Sequence, residues 1–157
     1  MTEIKTVSSP GPELRAIIDM FHEYSIELDE DINFQDFGKE LGNPLEKYGP
    51  PNAALLIALH DGDFAGCVAM RTLISGKICE MKRLYVRPDY RSHSIGVALC
   101  EAIIGKAKLM KFETMVLDTL EKLKSAVSLY KRLGFVETSP YNSSPLKGVI
   151  YMKKELD

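Results

Sequence analysis

The spacing of apolar positions changes several times along the chain, and each change marks a new element. After a short strand at Glu3 to Val7, apolar residues Leu14, Ile17, Ile18, Phe21 and Leu28 recur at helical spacing. Pro12 suits a first helical turn, where its missing N–H is not needed, so a helix is predicted from Pro12 to about Leu28, with His22 and Glu23 beside its apolar stripe. The period then lapses between Glu27 and Pro51. Acids (Asp29, Glu30, Asp31, Asp36) surround a short amphipathic piece at Phe34, Phe37 and Leu41, and the breakers Gly42, Pro44, Gly49, Pro50 and Pro51 follow, which reads as a long surface excursion. A continuous apolar run, Ala53 to Leu59, ends in Asp61-Gly62 and is followed at once by Phe64 to Leu73, the pattern of a β-hairpin. Ser75-Gly76 turns the chain back a second time into Lys77 to Val86, the strand that ends this run.

Helical spacing returns at Ile95 to Met110, a strand follows at Thr114 to Asp118, and a third helix runs from Lys122 to Leu133. Gly134 stands where a helix stops in the left-handed conformation, Phe135 to Glu137 can begin a strand, and Val149 to Lys153 makes the last one. The strand 77–86, its helix and the strand 114–118 form one βαβ unit. An antiparallel meander feeding a single right-handed crossover implies an α+β fold: a mixed, mostly antiparallel sheet with helices on both faces.

With 157 residues, 45% hydrophobic and 27% charged, and no repeat or linker, one domain spanning 1–157 is expected. A net charge of −2 and a pI near 6.0 leave no basic footprint for nucleic acid. No apolar run is long enough to span a membrane and Met1 to Pro10 lacks the features of a signal peptide, so a cytoplasmic protein is expected. Cys67, Cys79 and Cys100 form neither a CxxC pair nor an even set, and read as small buried apolar residues. His22, His60 and His93 have no partners at ligand spacing, so no metal is expected.

The chemistry concentrates between the strand 77–86 and the helix of the crossover, at Arg91-Ser92-His93-Ser94-Ile95-Gly96-Val97-Ala98. Free N–H groups at a helix start attract anions, Arg91 adds a full charge, Gly96 lets a phosphate approach the backbone, and His93 can reach the same phosphate. Ser92 and Ser94 can bond phosphate or simply cap the helix. A dinucleotide site also merits a test, because Asp118 follows at roughly the 20-residue spacing of a ribose-binding acid. The GxGxxG pattern is absent and the preceding strand closes a meander, so that reading fails.

The stretch RLYVRPDYRSHSIGVALCEAIIGKA, with LDT and AVSLYKRLGF after it, resembles the GNAT superfamily of acyl-CoA-dependent N-acetyltransferases, over most of the chain from Ala53 onward. FQDF, CEMKRLYVRP, LDTL and PYNSSPLKG resemble one branch of it. The family's Arg-x-x-Gly-x-Gly/Ala turn falls on Arg91, Ser94 and Gly96, with serine where the family has its first glycine. The resemblance implies acetyl-CoA as co-substrate, an amine as acceptor, and a pantetheine arm bound along the backbone of Leu84, Tyr85 and Val86. It also implies transfer by direct attack in a ternary complex, and edge strands near the C-terminus through which a homodimer can form. A non-catalytic acyl-CoA sensor is the alternative.

Acetyl transfer needs a free amine, a polarised carbonyl and a proton for the departing thiolate. Tyr130, one turn before the Lys122 to Leu133 helix stops, resembles the family's tyrosine facing the coenzyme sulfur; its apolar spacing with Leu123, Ala126, Val127 and Leu133 equally suits a buried helix tyrosine. Glu80 interrupts an apolar strand, where a carboxylate is costly unless paired or used, so it is either the general base, through a water, or a partner of Lys82 or Arg71. Alternation puts Ile78, Glu80, Lys82 and Leu84 on one face and Cys79, Met81, Arg83 and Tyr85 on the other. Asp118 either orients the amine or caps the following helix with Glu121. The acid run Glu27 to Asp31 is either an attractor for a cationic amine or a solvated face. Tyr141 and Asn142, with Pro145, fall in the loop before the last strand, where the resemblance implies an acceptor wall.

Overall fold

In the computed structural model, which describes residues 1–157, Asp61 and Gly62 both take positive φ (50° and 88°). That is the geometry of a type I′ turn, and it folds β2 (Ala54–His60) against β3 (Asp63–Ile74). β1 (Thr2–Thr6) pairs antiparallel with β2 on one side, and β4 (Ile78–Val86) pairs antiparallel with β3 on the other. The chain then crosses over through α4 (Ile95–Leu109) to β5 (Thr114–Leu120), which lies parallel to β4, before α5 (Lys124–Arg132), a two-residue β6 (Val136–Glu137) and β7 (Val149–Glu155). The sheet order is β1-β2-β3-β4-β5-β7-β6, with β4–β5 as its parallel pair. The mixed α+β sheet with one crossover agrees with the sequence pattern.

Helices cover both faces. α4 and the Leu129–Tyr130 turn of α5 pack with Val68, Met70, Cys79, Met81 and Met115 on one face. α1 (Pro12–Leu28), α2 (Phe37–Gly42) and α3 (Pro44–Tyr48) pack with Leu55, Ile57, Cys67 and Tyr85 on the other. The three cysteines are free and buried. No helix is long and apolar enough to cross a membrane.

Two expectations require correction. The segment between Glu27 and Pro51 is more than a surface excursion: Ile32, Phe37, Glu40 and Tyr48 are buried in it, so it supplies core to the α1 face, while Phe34 remains exposed. Strict alternation along β4 also fails. Between the pairs Cys67–Tyr85 and Ala69–Lys82, two residues of β4, Arg83 and Leu84, stand against one of β3, Val68, and Arg83 takes φ of 61°. This bulge turns Arg83 to the same face as Lys82 and returns Leu84 to the α4 face, the reverse of the pattern a regular strand would give.

Candidate active site

β4 and β5 pair only at Ile78–Thr114, Cys79–Met115 and Glu80–Val116, although both strands continue well beyond. Past Glu80 they part, and the β5-facing backbone edge of β4 has no strand beside it. The bulge begins the divergence, and a buried clamp holds it. The Arg83 guanidinium donates through Nε to Glu40 Oε2 at 2.7 Å and through Nη2 to Glu40 Oε1 at 3.1 Å, and it lies over the rings of Tyr24 and Phe37. Tyr48 and Lys47 donate to the same carboxylate. Burial pushes the Glu40 carboxyl up, but the hydrogen bonds and charge of Arg83, joined by Lys47, outweigh it and hold the group below the usual carboxylate range.

The gap opens into two connected spaces. One is a groove of about 460 Å3 bounded by Leu84, Tyr85, Val86, Arg91, Gly96 and the Lys122–Ala126 turn. At its end the first backbone bond into α4 is Ala98 N–H to Ser94 O, so the N–H groups of Ser94, Ile95, Gly96 and Val97 have no backbone acceptor. Ser94 sits at φ of 59°, in the left-handed region that favours glycine, and caps nothing with its side chain. Gly96 is helical, and a Cβ there would meet only Leu129 and Val86 side chains at ordinary contact distance, so packing within the chain does not demand glycine. Arg91 turns away from the helix start, donating to Val86 O and pairing with Glu27. His93 stacks on His60 with ring centroids 4.4 Å apart. Ser92, like Arg91 and His93, is on the exposed side of the turn.

The second space is a cleft between the parted strands, lined among others by Tyr24, Gln35, Lys82, Asp118, Leu146 and Tyr130. Burial holds the Tyr130 phenol well above its ordinary range, with Cys100, Tyr24 and Asp118 adding to the effect, and its ring packs edge-on to Phe135. Lys82 donates to Gln35 Oε1 at 3.0 Å; burial and the charge of Arg83 bring its ammonium down to about 8, against the opposing pull of Glu80 and Asp118.

Residues 14–135, from α1 through β2 to β5 and α5, match the model of the acetyltransferase (GNAT) family. The chain belongs to this acetyltransferase family. It is 44% identical over 138 residues to an uncharacterised N-acetyltransferase of Schizosaccharomyces pombe, covering 87% of this chain and 85% of that protein. Among solved structures it is similar to an acetyltransferase from Streptococcus agalactiae (25% identity, TM-score 0.82, 99% of this chain and 98% of that one). It has the same fold as the PaiA N-acetyltransferase of Thermoplasma acidophilum in complex with coenzyme A (18% identity, TM-score 0.75, 99% of each chain).

In this acetyltransferase the residues singled out by sequence fall into three groups. Leu84, Tyr85, Val86 and Gly96 border the groove, with Ile95, Val97 and Ala98 in the first turn of the helix at its end. Tyr130 and Asp118 border the cleft, and Asp118 caps no helix: β5 runs on to Leu120 and α5 begins after Leu123. Glu80, Tyr141 and Asn142 do not line the cleft. Glu80 is 1% exposed, with Arg71 Nε at 2.7 Å from Oε1 and the Tyr141 hydroxyl at 2.6 Å from Oε2. Asn142 Nδ2 donates to Asp118 Oδ2 at 3.0 Å, and the Tyr151 hydroxyl donates to Asn142 Oδ1. The acid run is consumed locally: Glu27 pairs with Arg91, Glu30 with Lys122, and Asp31 accepts from the Asn33 N–H. Gln35, Glu40, Lys82 and Arg83 were missed as site residues. The available signal was two adjacent cations, Lys82-Arg83, inside an apolar strand.

Proposed function

We propose that this N-acetyltransferase moves the acetyl group of acetyl-CoA to a primary amine by direct attack in a ternary complex. The observation that carries the reading is the unpaired edge of β4 beyond Glu80, which runs from a helix start with free N–H groups to a cleft bordered by a buried tyrosine. The pyrophosphate lies on the N–H groups of Ser94 to Val97, and Gly96 admits it closely. Arg91, Ser92 and His93 flank it, Arg91 after exchanging Glu27 for phosphate. The pantetheine amides lie along Leu84, Tyr85 and Val86 as a missing strand would, bringing the thioester toward Tyr130.

The amine nitrogen attacks the thioester carbonyl carbon, the C–N bond forms and the C–S bond breaks. A proton leaves the ammonium before attack and a second leaves the nitrogen as sulfur departs as the thiol. A phenol kept neutral by burial remains a hydrogen-bond donor to sulfur as negative charge builds there, the task of Tyr130. Glu80 acts on the first proton only through a relay, because both its oxygens are engaged by Arg71 and Tyr141. The reaction requires no metal, runs in the cytoplasm and involves no nucleic acid; two copies can meet through the exposed β6 edge. Calorimetry with acetyl-CoA and thiol release across an amine panel test the reading. Binding with thiol release supports it, binding without release on any amine points to an acyl-CoA sensor, and no binding overturns both.

A further inference from the structure

Lys82 and Asp118 face each other across the parted strands and yet do not pair. Glu80 is opposite Val116, and continuing that register brings Lys82 opposite Asp118, two residues further along each strand and on the same face. The neighbouring charges are satisfied at close range: Glu80 by Arg71, and Arg83 by Glu40. Lys82 approaches its nearest carboxylate, Glu80, only to 3.9 Å, and its hydrogen bond goes to the neutral Gln35 from the segment after α1. Asp118 has a neutral partner too, Asn142, from the loop before β7. Side chains on opposite walls thus hold a cation and an anion apart in one cleft. An ammonium has three donors and a carboxylate about four acceptor positions, so both keep unused capacity. A buried charge without a close counter-charge is costly, and an ammonium lowered to about 8 is what such a site produces.

We propose that the acceptor is a free amino acid, whose amino group is received by Asp118 and whose carboxylate is received by Lys82. This rests on the acetyltransferase reading above. A polycationic acceptor would find few spare acids at the mouth: Glu30 is paired with Lys122 and Asp31 accepts from the Asn33 N–H, which leaves Glu27 alone once Arg91 turns to phosphate. A plain alkylamine would leave Lys82 with only Glu80, 3.9 Å away and already engaged by Arg71 and Tyr141. Most of the rest of the wall, including Leu28, Ile32, Leu120 and Leu146, is apolar and suits a hydrocarbon side chain, with Gln35, Arg83, Thr119 and Ser144 as its other polar members. Asp118 binds the ammonium form; the first proton passes to solvent, and the free amine attacks as described, with the second proton accompanying the thiol.

The test uses the full chain, acetyl-CoA, the L-amino acids and their decarboxylated counterparts, such as leucine against isoamylamine and phenylalanine against phenethylamine. Thiol release should give at least one amino acid a kcat/KM about a hundredfold or more above its matched amine, since a site built around a charged group rejects an analogue lacking it. Lys82→Met should collapse that ratio toward unity, mainly by raising the amino acid's KM, with the melting temperature checking its fold. Amines accepted as well as amino acids would overturn the proposal and leave the acetyltransferase reading standing. So would acetyl-CoA binding without release on any amino acid. Failure to bind acetyl-CoA at all would remove the parent reading first. If Lys82→Met does not fold, the wild-type ratio alone decides.

Discussion

Replacing Glu40 by Gln probes the clamp that holds the bulge of β4. The change keeps the shape of the side chain and removes the charge that faces Arg83, whose side chain is 2% exposed. Breaking a buried ion pair by neutralising one partner costs about 3–5 kcal/mol, because the other charge is left uncompensated. Glutamine still offers one acceptor oxygen, so the lower end, about 3 kcal/mol, applies. For a chain of this size that corresponds to a fall in Tm of roughly 6–12 °C. The loss should be largest near neutral pH. The Glu40 carboxyl titrates lower folded than unfolded, so its contribution is complete above the unfolded value of 4.5 and disappears as pH falls through the lower folded value. Thermal unfolding of both proteins at pH 7 and under acid conditions should therefore give curves that converge in acid. Glu40→Met with Arg83→Met together should recover part of the stability, since the unpaired charge is gone while the buried Tyr48 hydroxyl still loses its acceptor. A pH 7 loss below about 1 kcal/mol would refute the clamp.

Three further changes test the site. Tyr130→Phe should lower kcat by about a hundredfold or more with acetyl-CoA affinity retained, within the range for loss of one proton donor; unchanged kcat would remove Tyr130 from the reaction. Ser94→Gly should raise stability by about 0.5–1 kcal/mol in denaturant unfolding, because a left-handed β-carbon costs about 1–2 kcal/mol while glycine returns up to about 1 kcal/mol in chain entropy, and a destabilised variant would contradict the strain assigned to that turn. Gly96→Val should leave stability within about 1 kcal/mol but weaken acetyl-CoA binding at least about tenfold by calorimetry; full affinity would show that no phosphate approaches that helix start.

Much of the fold was legible because its signals are local. Asp61-Gly62 specifies its own turn, Pro12 begins its helix, and the 2.0 to 3.6 change of period after Val86 announces the crossover. The residues around Gly96 were legible for the same reason. The cleft was not, because its decisive contacts join distant positions: Glu40 and Arg83 are 43 residues apart, Lys82 and Gln35 are 47 apart, and Glu80 and Tyr141 are 61 apart. The bulge left no mark either, since the residue at positive φ is an arginine rather than a glycine, and without it every later side chain on β4 is assigned to the wrong face. Asp118 resembled a helix cap only because β5 was expected to end two residues early.

The polar residues on β4 have a joint consequence that none has alone. Extending the β4–β5 ladder beyond Glu80 would gain backbone hydrogen bonds, each worth about 0.5–1.5 kcal/mol net, and the fold forgoes them. It does so because the β4 side chains are tied elsewhere: Glu80 to Arg71 and Tyr141, Lys82 to Gln35, and Arg83 to Glu40. Closing the gap would require moving buried, charge-assisted contacts, and breaking the Arg83–Glu40 ion pair alone, at about 3–5 kcal/mol, outweighs the roughly 1–3 kcal/mol gained from two ladder bonds. The strand edge therefore stays open in the absence of ligand. An extended amide chain can then use those free N–H and C=O groups without first unzipping a sheet, and the ordering that binding would otherwise require is already built into the fold.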